Sequence, residues 1–191
     1  MDTVEMRGLT LTQPWATLVA IGAKQFETRS WAISYKGDIA IHAAKGFPKD
    51  AKSLCNLQPF RGVLMDFLQP MHSGIDLFHH PALWTFLPVG KIICVVSLKR
   101  IIRTEQARRH EDMTNPFEMN FGDYGDGRYA WDLRNVRLLK ETVEARGALS
   151  LWKIDAELRA KIEAQYLAPL QGPINRDPDW RAHPVDLLKD S

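Results

Sequence analysis

The chain has 191 residues, 45% hydrophobic and 25% charged, which excludes a fibrous or largely disordered protein and fits one domain with a sizeable core. Its formal net charge of +2 permits a polyanionic partner but does not require one. The two cysteines, Cys55 and Cys94, lie in apolar stretches, which favours buried thiols over a disulfide. The N-terminus lacks a secretory pattern, and the longest apolar run, near 92–98, is too short to cross a bilayer. We therefore expect a soluble, cytoplasmic protein.

The first predicted element is a short helix that starts after Thr12, which suits an N-cap. Pro14 falls in the first turn, where its missing N–H is not needed. Trp15 and Leu18 follow helical spacing, and Gly22 suits a left-handed helix stop. The sequence therefore predicts a helix with one packed face that ends just before a cluster of charges.

A strand is predicted over Gln25–Trp31, directly after this helix. Period-two alternation places Glu27, Arg29 and Trp31 on one face and Thr28 on the other. The charges lie at a boundary between two elements, where side chains converge on one edge of a fold. Such an edge suits a ligand site, although surface ion pairs give the same pattern.

The later elements alternate short helices with strands and one irregular segment. In chain order they are a strand over Asp38–Ala44, a helix over Phe47–Asn56, an insertion around 58–88 with a short helix near Pro81–Phe86, a strand over Lys91–Arg103, a helical turn over Glu105–His110, a loop over Pro116–Gly127, a strand over Arg128–Leu139 with a bulge near Arg134, a strand over Gly147–Ile154 and a helix capped by Asp155. Several strands with few helices between them favour an α+β fold with a small mixed or antiparallel barrel over a doubly wound sheet. We expect one domain over 1–167, followed by an extended C-terminal tail over 168–191.

Seven short motifs occur along the chain in a specific order. They are Gln13-Pro14-Trp15-Ala16, the segment 22–31 from Gly22 to Trp31, Tyr35-Lys36-Gly37, the segment 39–45 from Ile39 to Lys45, Pro88-Val89-Gly90, the segment 127–131 from Gly127 to Trp131, and the segment 146–152 from Arg146 to Trp152. This ordered set over residues 9–154 resembles the ASCH family, which is related to the PUA RNA-binding domains. The resemblance implies a PUA-like small β-barrel flanked by short helices, with a cleft between the first helix and the following strand.

The resemblance also implies that RNA, a nucleotide or a modified nucleoside binds in this cleft. An alternative is a hydrolase, either an amidohydrolase of acetylated cytidine-type nucleosides or a ribonuclease. No cofactor is implied. The histidines and cysteines show no metal-ligand spacing, so we expect no metal, and no membrane partner is expected.

Three residues are candidates for catalysis if the protein is a hydrolase. Lys24 matches the cleft lysine of the family and suits a base or an electrostatic stabiliser. In the amidohydrolases the third residue after this lysine is threonine, whereas here it is Glu27, and Thr28 is expected on the opposite face of the strand. Glu118 is the best match to the acidic residue of the family, with Glu105 and Glu111 as alternatives.

Six further residues are candidates for ligand binding. They are Trp15, Arg29, Trp31, His42, Lys45 and Arg128. The tryptophans suit stacking on a base, and the arginines suit a phosphate or a base edge. Core packing is favoured over ligand binding for the tryptophans and for His42. An ion pair is equally compatible with Arg29, and a structural role is an alternative for Arg128.

Overall fold

A six-stranded mixed sheet is the framework of the protein in the computed structural model, which describes residues 5–110, 113 and 115–166. The strands are β1 (Arg7–Leu11), β2 (Phe26–Arg29), β3 (Gly37–Ala43), β4 (Lys91–Arg103), β5 (Tyr129–Glu144) and β6 (Leu151–Lys153). The helices in this part of the chain are α1 (Trp15–Ala20), α2 (Lys49–Leu54), α3 (Phe60–Leu68), α4 (Thr104–Ala107) and α5 (Ala156–Glu163). Short 3-10 turns cover Gln69–His72, Leu83–Phe86 and Glu118–Phe121.

The strand order across the sheet is β2-β5-β4-β3-β1-β6, and the sheet curls into a half-barrel. The pair β1–β3 is parallel, whereas the other neighbouring strands are antiparallel. The α+β fold with a small mixed barrel-like sheet is therefore confirmed. Because β2 is an edge strand, one of its sides remains open to a ligand.

Helix α1 is buried on two sides, and this burial fixes the position of the cleft beside it. Val19 packs into the main core between α1 and one face of the sheet, together with Ile39 and Trp131. Leu18 instead packs into a second cluster with Leu64 and other side chains of the segment 58–88. The insertion therefore supports the outer side of α1.

Local sequence signals predicted some of these elements well. Strand β4 has the predicted bounds, and Asp155 caps α5 by accepting a hydrogen bond from the backbone N–H of Leu158 at 2.8 Å. The predicted irregularity near Arg134 is confirmed by the positive φ of 52° at Asn135 and by register shifts between β4 and β5. The tail over 168–191 lies outside the described residues, and the division into domain and tail stays a prediction.

Other predictions were wrong. Strand β1 and helix α3 were not predicted, and β2 ends at Arg29, two residues before the predicted end. Thr12 does not cap α1, because the carboxamide oxygen of Gln13 accepts from the backbone N–H of Thr17 at 3.1 Å instead.

Candidate functional site

A cleft of about 520 Å³ opens between α1, the edge strand β2 and the segment after Glu118. One part of its lining is apolar and consists of Leu11, Trp15, Leu54, Phe60 and Phe121. The other part is polar and consists of Thr10, Thr12, Lys24, Glu27, Thr28, Arg29, Asn120, Gly122 and Asp123. The cleft can therefore hold a ligand that has a flat apolar face and a polar edge.

The turn after α1 places Lys24 at the base of the cleft. Gly22 adopts a φ of 72°, which reverses the chain, and the backbone N–H of Lys24 then bonds to the carbonyl of Leu18 at 2.9 Å. The side chain is only 1% exposed, and its Nζ donates to the carbonyl of Phe26 at 2.6 Å. A buried ammonium needs such partners because its desolvation is costly.

Glu27 links the two cations of the cleft. Its Oε2 lies 3.7 Å from Nζ of Lys24, and its Oε1 lies 2.9 Å from Nε of Arg29. Glu27 and Arg29 lie on the same face of β2, as the period-two pattern predicted. The side chain of Arg29 is 29% exposed. The cluster of Lys24, Glu27 and Arg29 therefore extends from the buried base of the cleft to its surface.

Glu118 lies behind this group and is fully buried. Its Oε2 accepts from the backbone N–H of Gln25 at 2.7 Å, and its Oε1 accepts from the N–H of Phe26 at 3.1 Å and from the hydroxyl of Tyr124 at 2.8 Å. Burial raises the pKa of Glu118, while the charge of Lys24 and these donors act in the opposite direction. Burial and the Glu118 carboxylate also raise the pKa of Tyr124.

Glu118 is absent from the cleft lining, and its contacts position the segment that carries Lys24. Glu105, the alternative candidate, is half-buried and its Oε1 accepts from the N–H of Gly127 at 2.8 Å. Glu111 lies outside the described residues.

Thr28 lines the same cleft as Lys24, although the alternation of the strand predicted the opposite direction. Its hydroxyl accepts from the N–H of Asp123 at 3.1 Å. A Cβ added at Gly122 would lie 3.0 Å from Oγ1 of Thr28 and 3.1 Å from Nζ of Lys24, so both groups flank this glycine. Thr28 lies on the opposite face of β2 from Glu27, as the alternation predicted, but residues from both faces of this strand line the cleft, so Thr28 belongs to the site.

Gly122→Ala is expected to lower the stability of the protein by about 1–2 kcal/mol. The added methyl group would contact Tyr124, Thr28 and Lys24 at 3.0–3.1 Å, and all three are already held by hydrogen bonds. The Lys24 ammonium should shift, so the affinity of any cleft ligand should fall as well.

Chemical denaturation and ligand titration measure both effects of Gly122→Ala. Gly46→Ala is the matched control, since a Cβ at Gly46 meets nothing within 4 Å. Equal stability and equal affinity in the two variants would contradict the tight packing of Gly122 against Lys24.

The structure brings some of the predicted ligand-binding residues to the cleft and places others elsewhere. Trp15 and Arg29 line it, and Arg128 borders it through an ion pair of 3.2 Å between its Nε and Oδ2 of Asp123. Trp31 packs edge-to-face on Trp131 at 4.9 Å, as part of the core beyond the end of β2.

His42 and Lys45 also lie outside the cleft lining. His42 is buried on β3, its Nε2 lies 3.1 Å from the carbonyl of Ala145, and burial lowers its pKa. Lys45 is exposed after the end of β3. The segment 145–147 therefore packs closely against His42 of β3.

Several residues of the cleft were not identified from the sequence. Thr10 lies at the end of the unpredicted strand β1, Phe60 starts the unpredicted helix α3, and Asn120 belongs to a 3-10 turn. The position of Asn120 next to a Gly- and Asp-rich loop was the available signal, because loops often carry functional residues.

Within residues 5–110, 113 and 115–166, three or more His, Cys, Asp or Glu side chains nowhere converge in a way that would hold a metal ion. In the same part of the chain, every helix is too short or too polar to cross a membrane.

The chain is an α+β domain in which a half-barrel sheet carries a cleft at its edge strand. The family model of the ASCH domain matches residues 9–147, and this chain belongs to that family. A comparison with curated proteins found no match.

Solved structures with a similar fold include an ASCH protein from Zymomonas mobilis. It is 14% identical, with 86% of this chain and 98% of that chain covered and a TM-score of 0.48. A mutant of the Zymomonas mobilis protein is 12% identical, with 87% of this chain and 100% of that chain covered and a TM-score of 0.47.

Proposed function

We propose that the cleft binds a nucleobase, presented by RNA, a nucleotide or a modified nucleoside. The observation that carries this proposal is the division of the cleft into an aromatic wall and a polar end. Trp15 is half-buried, and part of its indole faces the cleft. The ring of Phe60 packs edge-to-face against this indole, with 6.2 Å between the ring centres. A tryptophan held in this way suits stacking on a base.

The polar end offers both hydrogen-bond donors and an acceptor. Lys24 and Arg29 donate, and Glu27 accepts, as the amine and carbonyl groups at the edge of a base require. The charges of Lys24 and Arg29 are balanced in the lining by Glu27 and Asp123. This balance favours the edge of a neutral base over a phosphate group at the base of the cleft, because a phosphate would face Glu27.

Titration calorimetry with cytidine, N4-acetylcytidine, uridine and adenosine tests the proposal. We expect at least one of them to bind with one site per chain, and Trp15→Ala to weaken this binding by about tenfold or more, because stacking contributes roughly 1–3 kcal/mol per base. Trp84→Ala is the matched control, since Trp84 is half-buried in the insertion and absent from the cleft lining. No binding by any nucleoside, or equal effects of both variants, would contradict the proposal.

A second candidate function is hydrolysis of an amide-bearing nucleoside, which the position of Thr28 beside Lys24 favours. Water would attack the acetyl carbonyl of N4-acetylcytidine directly, or the Thr28 hydroxyl would attack first and water would then hydrolyse the acetyl ester. In both routes the C–N bond breaks, N4 takes up the proton released by the attacking hydroxyl group, and the products are cytidine and acetate. Chromatographic detection of cytidine tests this candidate, with Thr28→Val as the diagnostic variant. Turnover that Thr28→Val leaves unchanged would exclude Thr28 as nucleophile. Cleavage of a short RNA in the same assay would indicate a ribonuclease instead.

A further inference from the structure

A row of three side chains crosses three strands of the sheet and begins inside the cleft. In the sheet register, Arg29 of β2 lies opposite Tyr129 of β5, and Tyr129 lies opposite Arg103 of β4. Residues directly opposite each other project from the same face of a sheet, so the three side chains are neighbours. We call Arg29, Tyr129 and Arg103 the arginine–tyrosine row.

The outer end of the row carries a positive charge that is held in place. The guanidinium carbon of Arg103 lies 4.3 Å from the centre of the Tyr129 ring, and Nη1 donates to the carbonyl of Gly127 at 3.2 Å. Arg103 is nevertheless exposed. These contacts hold the Arg103 guanidinium in place while it stays accessible to solvent. Less side-chain entropy is therefore lost when an anion binds to it.

The two arginines of the row differ in their charge balance. Arg29 lies 2.9 Å from Glu27, whereas Arg103 has no carboxylate within 4.0 Å among residues 5–110, 113 and 115–166. Glu105 approaches the same loop but bonds to the N–H of Gly127. The uncompensated positive charge therefore lies outside the cleft, at the far end of the row.

We propose that the arginine–tyrosine row binds the backbone of a single RNA strand where the strand leaves the cleft. The proposal rests on the proposed function, since one base of that strand occupies the cleft. Two interstrand spacings separate Arg29 from Arg103, or about 10 Å. A stacked strand advances about 3.4 Å per nucleotide, so Arg103 meets a phosphate about three nucleotides along the strand from the bound base, which a single nucleoside does not reach. The half-buried ring of Tyr129 supports the strand between the two guanidiniums.

Fluorescence anisotropy with a fluorescein-labelled uridine hexamer, and calorimetry with single nucleosides, test this proposal on the full chain. Arg103→Gln should weaken hexamer binding by about five- to tenfold and reduce the slope of log affinity against log salt by about 0.7, the value for one phosphate contact on a single strand. It should change the affinity for nucleosides less than twofold.

Two further variants separate the role of Arg103 in binding from a role in folding. Arg103→Lys keeps the charge and should restore the salt slope. Lys161→Gln removes an equal charge from α5, which packs on the opposite face of the sheet, and should change hexamer affinity less than twofold.

The outcomes distinguish the two proposals. A wild-type protein that binds no nucleoside contradicts the base site. If nucleosides bind and the hexamer binds Arg103→Gln as tightly as the wild type, the proposed role of the arginine–tyrosine row is overturned while the base site stands. Binding of a hexaglutamate peptide as tight as that of the RNA hexamer, with the same loss in Arg103→Gln, would show a general anion surface and would also overturn the row as an RNA site.

Discussion

Glu118→Ala should lower the free energy of unfolding by about 3–5 kcal/mol. The substitution leaves the backbone N–H groups of Gln25 and Phe26 and the hydroxyl of Tyr124 without their acceptor. Each buried donor that loses its partner costs roughly 1–3 kcal/mol. Because two of these donors belong to the segment between Lys24 and Glu27, the loss should also disorder the polar end of the cleft.

Urea denaturation measures this effect, and Glu105→Gln is the matched control. Glu105 also accepts a backbone N–H, at 2.8 Å, but is far less buried, so its loss should cost less than about 1 kcal/mol. The loss of stability in Glu118→Gln should lie between those of the two variants. The amide oxygen remains as an acceptor, but the NH₂ group of the glutamine faces a backbone N–H that needs an acceptor. Equal losses for Glu118→Ala and Glu105→Gln would contradict the role of Glu118 in holding the segment.

The pH dependence of stability provides a second measure of the same group. Burial raises the pKa of Glu118 in the folded protein above the ordinary value of 4.5. Between these two pKa values the folded state retains a proton that the unfolded state has lost. The stability contributed by Glu118 is therefore greatest below pH 4.5 and declines as the pH rises through the folded-state pKa. The stability of wild type relative to Glu118→Gln should decline over the same window, and a relative stability that rises with pH would contradict this assignment.

Much of the polar end of the cleft was predictable from the sequence because it is local. Gly22, Lys24, Glu27 and Arg29 lie within eight residues, and the helix stop and the strand period fix their directions. Trp31 lies beyond the end of β2 and packs on Trp131, which is opposite Glu27 in the sheet register, and this contact agrees with the core packing that the sequence favoured.

The apolar end was not predictable, since it depends on long-range packing. Phe60 reaches Trp15 through helix α3, which the sequence pattern did not indicate. The hydrogen bonds from Gln25 and Phe26 to Glu118 join residues more than 90 positions apart. The family resemblance identified Glu118 as a candidate, but it did not predict these hydrogen bonds. Thr28 shows the same limit, because its access to the cleft follows from the edge position of β2.

Lys24→Met should abolish detectable ligand binding in the cleft, a loss of about 100-fold or more, and should lower stability by about 3–5 kcal/mol. The Lys24 side chain is almost completely buried between Glu27 and the carbonyl of Phe26, with Glu118 close behind. Removing the cation leaves Glu27 near the buried carboxyl group of Glu118 with Arg29 as its ion-pair partner on the outer side only. The loss of stability alone would therefore weaken binding, and the single variant cannot separate the two roles of Lys24.

The double variant Lys24→Met/Glu27→Gln separates them. A neutral pair removes the buried negative charge that has lost its Lys24 partner, so about half or more of the lost stability should return, in keeping with the near-neutral cost of replacing a buried ion pair as a unit. Binding should not return, because the donor at the base of the cleft and the acceptor on Glu27 are both gone. Denaturation and nucleoside titration on all four proteins of the cycle measure the two quantities independently. Recovery of binding together with stability would show that Lys24 and Glu27 pair only to hold the fold, and the polar end would then have no direct contact with the ligand.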